Sequence, residues 1–232
     1  MQKPMKNLRS VLSEYPASVW TKRLAVYLLG QFLMALGVSV SIRSNLGVSP
    51  VSSLPLVLGT VLHIEVGTMT TIVFCFYVLL QIALLGKKFP PVQLLQIACA
   101  LLFGKFVTWT GTLISFWQPS SYLERFGMVL LATILVGTGV KMYLLARLIP
   151  QSGEGLVQTL SEKYHWKLAN VKNVFDLTSV LLAAVISLLA TGKITGLREG
   201  TVIAALGVGR VIWLLGRLLG DWPERFVYET RI

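Results

Sequence analysis

Six long runs of mostly apolar residues limit what this 232-residue chain can fold into. They extend over Leu24–Ile42, Thr68–Leu85, Val92–Ile114, Phe126–Leu145, Val174–Leu189 and Thr201–Leu219. A helix rises about 1.5 Å per residue, so about 20 residues cross a hydrocarbon core of about 30 Å. We therefore predict an all-α membrane protein with six transmembrane helices.

The composition agrees with a membrane protein, since 54% of the residues are hydrophobic, 13% are charged and the mean hydropathy is +0.71. The formal charge of +11 comes mostly from basic clusters beside apolar runs, which indicates membrane topology rather than a nucleic-acid partner. With the amino terminus in the cytoplasm, only Arg43, Arg125, Lys193 and Arg198 fall near the opposite side. We therefore predict cytoplasmic termini.

Both ends of the chain are predicted to be tails in the cytoplasm. Residues 1–22 are basic and amphipathic, and they lack the apolar core and the small-residue cleavage site of a signal peptide. Residues 221–232 are polar and follow the last apolar run.

The chain breaks twice where it would otherwise continue a span. After Ser44, the pair Ser49-Pro50 provides a helix cap and a first-turn proline, and a helix over Val51–His63 is too short to span. A second break is followed by a short helix over Leu156–Tyr164. Each short helix is either a re-entrant half-helix or a segment in the membrane interface.

The two breaks belong to an internal repeat. A shift of 102 residues places Gly37 on Gly139 and His63 on His165, and with three more residues inserted Gly104-Lys105 falls on Gly209-Arg210. We predict a first repeat over residues 23–118 and a second over residues 119–220, each with three spans and one half-helix. Three crossings invert the second repeat relative to the first, as in many transporters.

Re-entrant half-helices would bring their starts together near the membrane midplane. These starts lie at Ser49-Pro50 and at Ser152-Gly153. Helix N-termini carry unpaired N–H groups and a partial positive charge, so two of them facing each other would favour an anion.

Two cations inside apolar runs suggest the same ligand. Lys105 and Arg210 would each cost about 2.5 to 3.5 kcal/mol on insertion scales, and binding an anion would offset that cost. An ion pair with Asp176 or Glu154, or snorkelling, is the alternative. Arg43, at the end of the first span, is either a ligand contact or an interfacial anchor.

Four further residues are candidates for coupling to protons. Glu154 follows the second break, where a carboxylate either offsets the helix dipole or carries a proton. Asp176 follows Lys172 at the spacing of a helical ion pair. His63 and His165 occupy matching helix ends, which suits C-capping or pH sensing. Their separation, with no carboxylate at ligand spacing, does not indicate a metal site.

Several motifs resemble those of the YczE/YyaS/YitT-like bacterial membrane proteins. They are Gly47–Pro50 with Leu54-Pro55, Pro150-x-Ser152-x-Glu154–Leu156, Val171–Asp176 and Gly196–Ile212. The resemblance implies a bacterial cytoplasmic (inner) membrane protein of uncertain function. Arg210 departs from this pattern, in which a proline follows the position of Gly209.

The main functional hypothesis is a secondary transporter that moves a small anionic or zwitterionic solute by alternating access. No catalytic or cofactor-binding motif occurs in the sequence, so we expect neither an enzyme nor a cofactor. The alternatives are a flippase for a lipid-linked phosphate and a non-transporting membrane scaffold or assembly factor. The expected partners are a small-molecule or lipid anion and membrane lipids, and the small size of the bundle is compatible with a homodimer.

Overall fold

The computed structural model describes residues 15–229, and within that range it contains nine α-helices and no strand. The helices are α1 (Ala17–Ser44), α2 (Pro50–Leu62), α3 (Val66–Leu85), α4 (Leu95–Leu113), α5 (Tyr122–Leu145), α6 (Ser152–Tyr164), α7 (Leu168–Thr191), α8 (Glu199–Leu219) and α9 (Trp222–Tyr228). Six of them, α1, α3, α4, α5, α7 and α8, have the length and apolar composition of membrane spans. This confirms the all-α class with six candidate spans.

The predicted tails contain helical residues. Helix α1 begins at Ala17, before the apolar run, and α9 lies in the carboxy-terminal tail. The start of α1 is held by Arg23, whose buried guanidinium donates to the carbonyls of Ala146 (2.9 Å) and Arg147 (2.7 Å) beyond the end of α5. The rest of the predicted tails, residues 1–14 and 230–232, lies outside the described residues.

Helices α1 and α5 cross at the centre of the bundle in antiparallel directions. A Cβ placed on Gly139 would lie 2.5 Å from the carbonyl oxygen of Gly30. Further along α1, a Cβ on Gly37 would lie 2.9 Å from the carbonyl oxygen of Ala132. Small residues at the crossing therefore let the two backbones touch, as they do between membrane helices generally.

Adding one methyl group at this crossing is expected to destabilise the protein. Gly139→Ala forces the backbones apart, at a cost typical of overpacking of about 1–3 kcal/mol. Gly127→Ala is the matched control, because a Cβ on Gly127, also in α5, meets nothing within 4 Å. Thermal melting in detergent should be lower for Gly139→Ala only. Equal melting temperatures of the two variants would contradict the close backbone contact of α1 and α5.

Several helix pairs pack alike at the spacing of the predicted repeat. Helix α2 packs on α7 as α6 packs on α3, and α4 packs on α1 as α8 packs on α5. One pair of helices does not show this correspondence. Helices α3 and α4 pack closely, with Gly67 against Gly104, whereas α7 and α8 scarcely touch and a Cβ on Gly209 would meet nothing within 4 Å. Helix α8 is also the least buried of the six candidate spans.

Backbone conformation recurs with the same spacing. Within residues 15–229, the non-glycine residues with positive φ are Asn45 (54°), His63 (55°), Arg147 (49°) and His165 (55°). They form two pairs that are each 102 residues apart. His63 and His165 end α2 and α6 in left-handed conformation, which confirms the predicted C-capping position of both histidines.

Candidate functional site

Both short helices begin halfway along a long helix of the other half of the chain. Gln151, the N-cap of α6, donates from Nε2 to Oε1 of Gln31 (3.0 Å), the fifteenth of the 28 residues of α1. Ser49, the N-cap of α2, lines a small pocket together with Thr133, the twelfth of the 24 residues of α5. Each cap therefore lies at half the depth of the bundle.

The first turns of α2 and α6 also touch each other. A Cβ on Gly153 would lie 3.7 Å from Cγ1 of Val51, and these two residues are themselves 102 positions apart. We call residues 49–53 and 151–155 the helix junction. The first turns of the two helices, each with backbone N–H groups that lack partners in the helix, therefore lie next to each other.

Two buried glutamines hold the start of α6 in place. Gln81 of α3 and Gln96 of α4 exchange amide hydrogen bonds (3.0 and 3.2 Å), and Gln81 also donates to the carbonyl of Ser152 (3.1 Å). Gly155 leaves room for them, because a Cβ there would lie 2.8 Å from the Gln96 amide. The pair fixes α6 against α3 and α4.

Breaking this amide pair should destabilise the protein. Gln81→Leu leaves the buried amide of Gln96 without its partner, at a cost of about 1–3 kcal/mol, and Gln96→Leu does the same to Gln81. The double variant should lose less than the two single losses combined, because no orphaned amide of the pair remains. Melting temperatures of the four proteins in detergent measure this coupling. Additive losses would show that the pair does not act as a unit.

Two buried polar groups, one in the junction and one beside it on α1, have no partner. Gln31 is 0% exposed and Ser152 is 1% exposed, and among the described residues Nε2 of Gln31 and Oγ of Ser152 make no hydrogen bond. Buried polar atoms in native proteins are satisfied by protein, water or ligand. An amide nitrogen only donates and a hydroxyl can donate, so a ligand with acceptor oxygens complements both groups.

A carboxyl group lies in the first turn of α6, as the sequence predicted. Glu154 is half-buried, and its carboxyl interacts electrostatically with Lys172 and Asp176 of α7. Lys172 and Asp176 form an ion pair with each other on α7, which confirms that predicted contact. The phenol of Tyr27 on α1 also interacts electrostatically with Glu154.

Lys105 and Arg210 do not join the junction. Both side chains are exposed, and Asp176, one of the partners considered for them, pairs with Lys172 instead. The helical step of about 100° per residue explains the position of Lys105. Gly104 and Phe103 are buried in the bundle, so the next residue turns outwards.

The remaining candidates lie at other places. His63 and His165 end short helices of 13 residues each, about 20 Å from the helix starts. Arg43 is half-buried in a groove of about 510 Å³ at the carboxy-terminal end of α1. Pro50 is buried at the junction. In the part of the chain covered by the structure, no three His, Cys, Asp or Glu side chains are grouped closely enough to hold a metal ion.

Comparison with known proteins adds a distant relative and a family. An uncharacterized protein of Haemophilus influenzae (strain ATCC 51907 / DSM 11121 / KW20 / Rd) is 22% identical over 210 residues, which are 89% of this chain and 90% of that protein. No solved structure matches the chain. The finer resemblance to YczE/YyaS/YitT-like proteins stays a prediction. The model of DUF6198, a family of unknown function, matches residues 21–217, and the chain belongs to that family.

Proposed function

We propose that the protein is a secondary transporter that binds a small anionic or zwitterionic solute at the helix junction. The observation that carries this proposal is the pair of unpartnered buried groups, Nε2 of Gln31 and Oγ of Ser152, at the start of α6. Hydrogen-bond donors at a helix N-terminus suit a carboxylate or another oxyanion. The site lies at half the depth of the bundle, where transporters of inverted-repeat design bind their substrates.

Several features support an inverted repeat with two re-entrant half-helices. The antiparallel crossing of α1 and α5, the exchanged helix contacts and the paired positive-φ residues all follow the spacing of the repeat, which is 102 residues up to α7 and 105 residues for α4 and α8. The contact of Val51 with Gly153 joins two equivalent residues, as expected for a position on the axis that relates the repeats. In this proposal α2 and α6 enter the membrane from opposite sides, and both termini lie in the cytoplasm of a bacterial cell.

The difference between the repeats supports alternating access. Helices α3 and α4 are closed against each other at Gly67 and Gly104, whereas the equivalent helices α7 and α8 are apart. In an inverted repeat, exchanging the two conformations would open the first pair and close the second. This exchange would carry the solute from one side of the junction to the other.

Uptake into proteoliposomes tests the function. The full chain is reconstituted and offered radiolabelled L-amino acids, acetate, lactate, succinate and inorganic phosphate one at a time. We expect at least one of these solutes to accumulate above the level of protein-free liposomes. Lys105→Met should keep that uptake within about twofold, because its side chain is exposed on the outside of the bundle, away from the junction. Absence of uptake for the whole panel would contradict the proposal.

A flippase for a lipid-linked phosphate is the second candidate, and one observation favours it. The separation of α7 from α8 and the open side of Gly209 would give a headgroup a lateral path towards the junction. A fluorescent phospholipid in proteoliposomes, quenched by dithionite from outside, measures this activity. Quenching of more than the outer half of the label would favour the flippase, whereas solute uptake with quenching of the outer half alone would favour the transporter.

A further inference from the structure

We propose that the groove at the carboxy-terminal end of α1 binds a free aliphatic α-amino acid, with its carboxylate at Arg43 and its ammonium group at Glu65. This site is separate from the helix junction. Its existence does not depend on the proposed transport function.

Three helices build the groove. Arg43 lies in the last turn of α1, Glu65 is the N-cap residue of α3, and the end of α4 contributes Thr108 and Thr112. The volume of about 510 Å³ lies within the range of about 300–1,000 Å³ that is usual for small-molecule pockets. The groove therefore has the size and the polar lining of a ligand site.

The two charges of the groove are opposite and unpaired. Arg43 and Glu65 line the same groove, yet the ion pairs found within residues 15–229 involve neither of them. A guanidinium presents a planar fork that matches a carboxylate, and a carboxylate accepts hydrogen bonds from an ammonium group. A zwitterion satisfies both side chains at once, whereas an ion of one sign leaves one of them unpaired.

The rest of the lining favours a neutral aliphatic side chain. Ile42, Val66 and Val107 provide apolar surface in the groove. Gly111 leaves space, because a Cβ there would meet only Oγ of Ser39, at 3.8 Å. A larger side chain at this position would project into the groove without displacing the backbone, which gives a direct way to block it.

Isothermal titration calorimetry on the full chain in detergent tests the site. L-Alanine, L-valine and L-leucine are titrated separately, and at least one of them should bind. For L-valine, the matching ligands with a single charge are isovalerate and isobutylamine, and each should bind at least about tenfold more weakly because one charge of the groove stays unpaired. Failure of all three amino acids to bind would overturn the proposal.

Substitutions distinguish binding in this groove from binding at the junction. Arg43→Gln and Glu65→Gln should each weaken binding at least about tenfold, and Gly111→Leu should abolish it. Glu65→Gln is the safest test of folding, because the Glu65 side chain is exposed and makes no cap hydrogen bond. Gln158→Leu is the control that should bind the amino acid as the unchanged protein does, because Gln158 contacts the exposed Glu162 and lines neither the groove nor the junction. Loss of binding in Gln31→Leu together with full binding in Glu65→Gln would place the ligand at the junction and overturn the assignment, whatever the uptake assay shows.

Discussion

We expect Gln31→Leu to lower the initial rate of solute uptake by about tenfold to a hundredfold. The substitution removes an amide that accepts from Gln151, the N-cap residue of α6, and that carries an unpartnered buried donor. A hydrogen bond to a charged group contributes about 1.5–3 kcal/mol, and each 1.4 kcal/mol is a factor of ten. Uptake into proteoliposomes at substrate concentrations below the KM measures the loss. Ser152→Ala removes the second donor and should lower uptake in the same direction.

The control for Gln31→Leu is a glutamine outside the junction. Gln158 lies on α6 and its amide donates to the exposed carboxylate of Glu162. Gln158→Leu should therefore leave uptake within about twofold, since exposed polar contacts contribute little. Equal rates in Gln31→Leu and the unchanged protein, at equal amounts of folded protein in the liposomes, would remove Gln31 from the solute site.

We expect uptake of an anion to rise as the pH falls, because the carboxyl of Glu154, in the first turn of α6, takes up a proton. A charged Glu154 repels an anion at the neighbouring N-terminus of α6, and protonation removes the repulsion. Lys172 and Asp176 on α7 and Tyr27 on α1 face the same carboxyl, and Lys172 with Asp176 forms an internal ion pair. Initial rates between pH 5.5 and 8.5 give the profile.

Glu154→Gln should flatten this profile and hold uptake at pH 8 near the rate that the unchanged protein reaches at pH 6. Glu162→Gln is the matched control, because Glu162 is exposed on the same helix and should keep the original pH dependence. An unaltered pH slope in Glu154→Gln would assign the dependence to another group.

The spans and breaks could be predicted because each depends on local properties of the sequence. The six long helices follow from the length of the apolar runs. The proline of Ser49-Pro50 marks the start of α2, which the structure places at Pro50, whereas the side chain of Ser49 makes no cap hydrogen bond. The second short helix begins at Ser152 rather than Leu156, because Ser152, Gly153 and Glu154 form its first turn. The histidine caps followed from their position at matching helix ends.

The direction of individual side chains could not be predicted in the same way. Helix α4 is apolar on most of its surface, so the sequence gives no polar face from which to infer its rotation, and Lys105 turns outwards beside the buried Gly104. The separation of α7 from α8 could not be predicted from the sequence either. Similar sequences predict similar contacts, whereas α3 and α4 pack closely and α7 and α8 do not.

The importance of the buried glutamines could have been predicted from the sequence. Gln31, Gln81 and Gln96 stand inside predicted apolar runs, where an amide must find hydrogen-bond partners. A buried charge costs more than a buried amide, yet here Lys105 and Arg210 face outwards, whereas Gln31 and Gln81 contact the start of α6. In this protein, amide residues within the apolar runs therefore indicate the centre of the bundle better than charged residues do.

The central claim is that solute passes between the first turns of α2 and α6. Cross-linking of these two turns tests the claim most directly. Val51→Cys and Gly153→Cys are combined after Cys75 and Cys99 are replaced by alanine, and the protein is oxidised with copper phenanthroline in proteoliposomes. We predict an internal disulfide, loss of uptake on oxidation and recovery with dithiothreitol. Val51→Cys with Gly127→Cys should not cross-link. Failure of the first pair to form a disulfide, or full oxidation with unchanged uptake, would contradict the account.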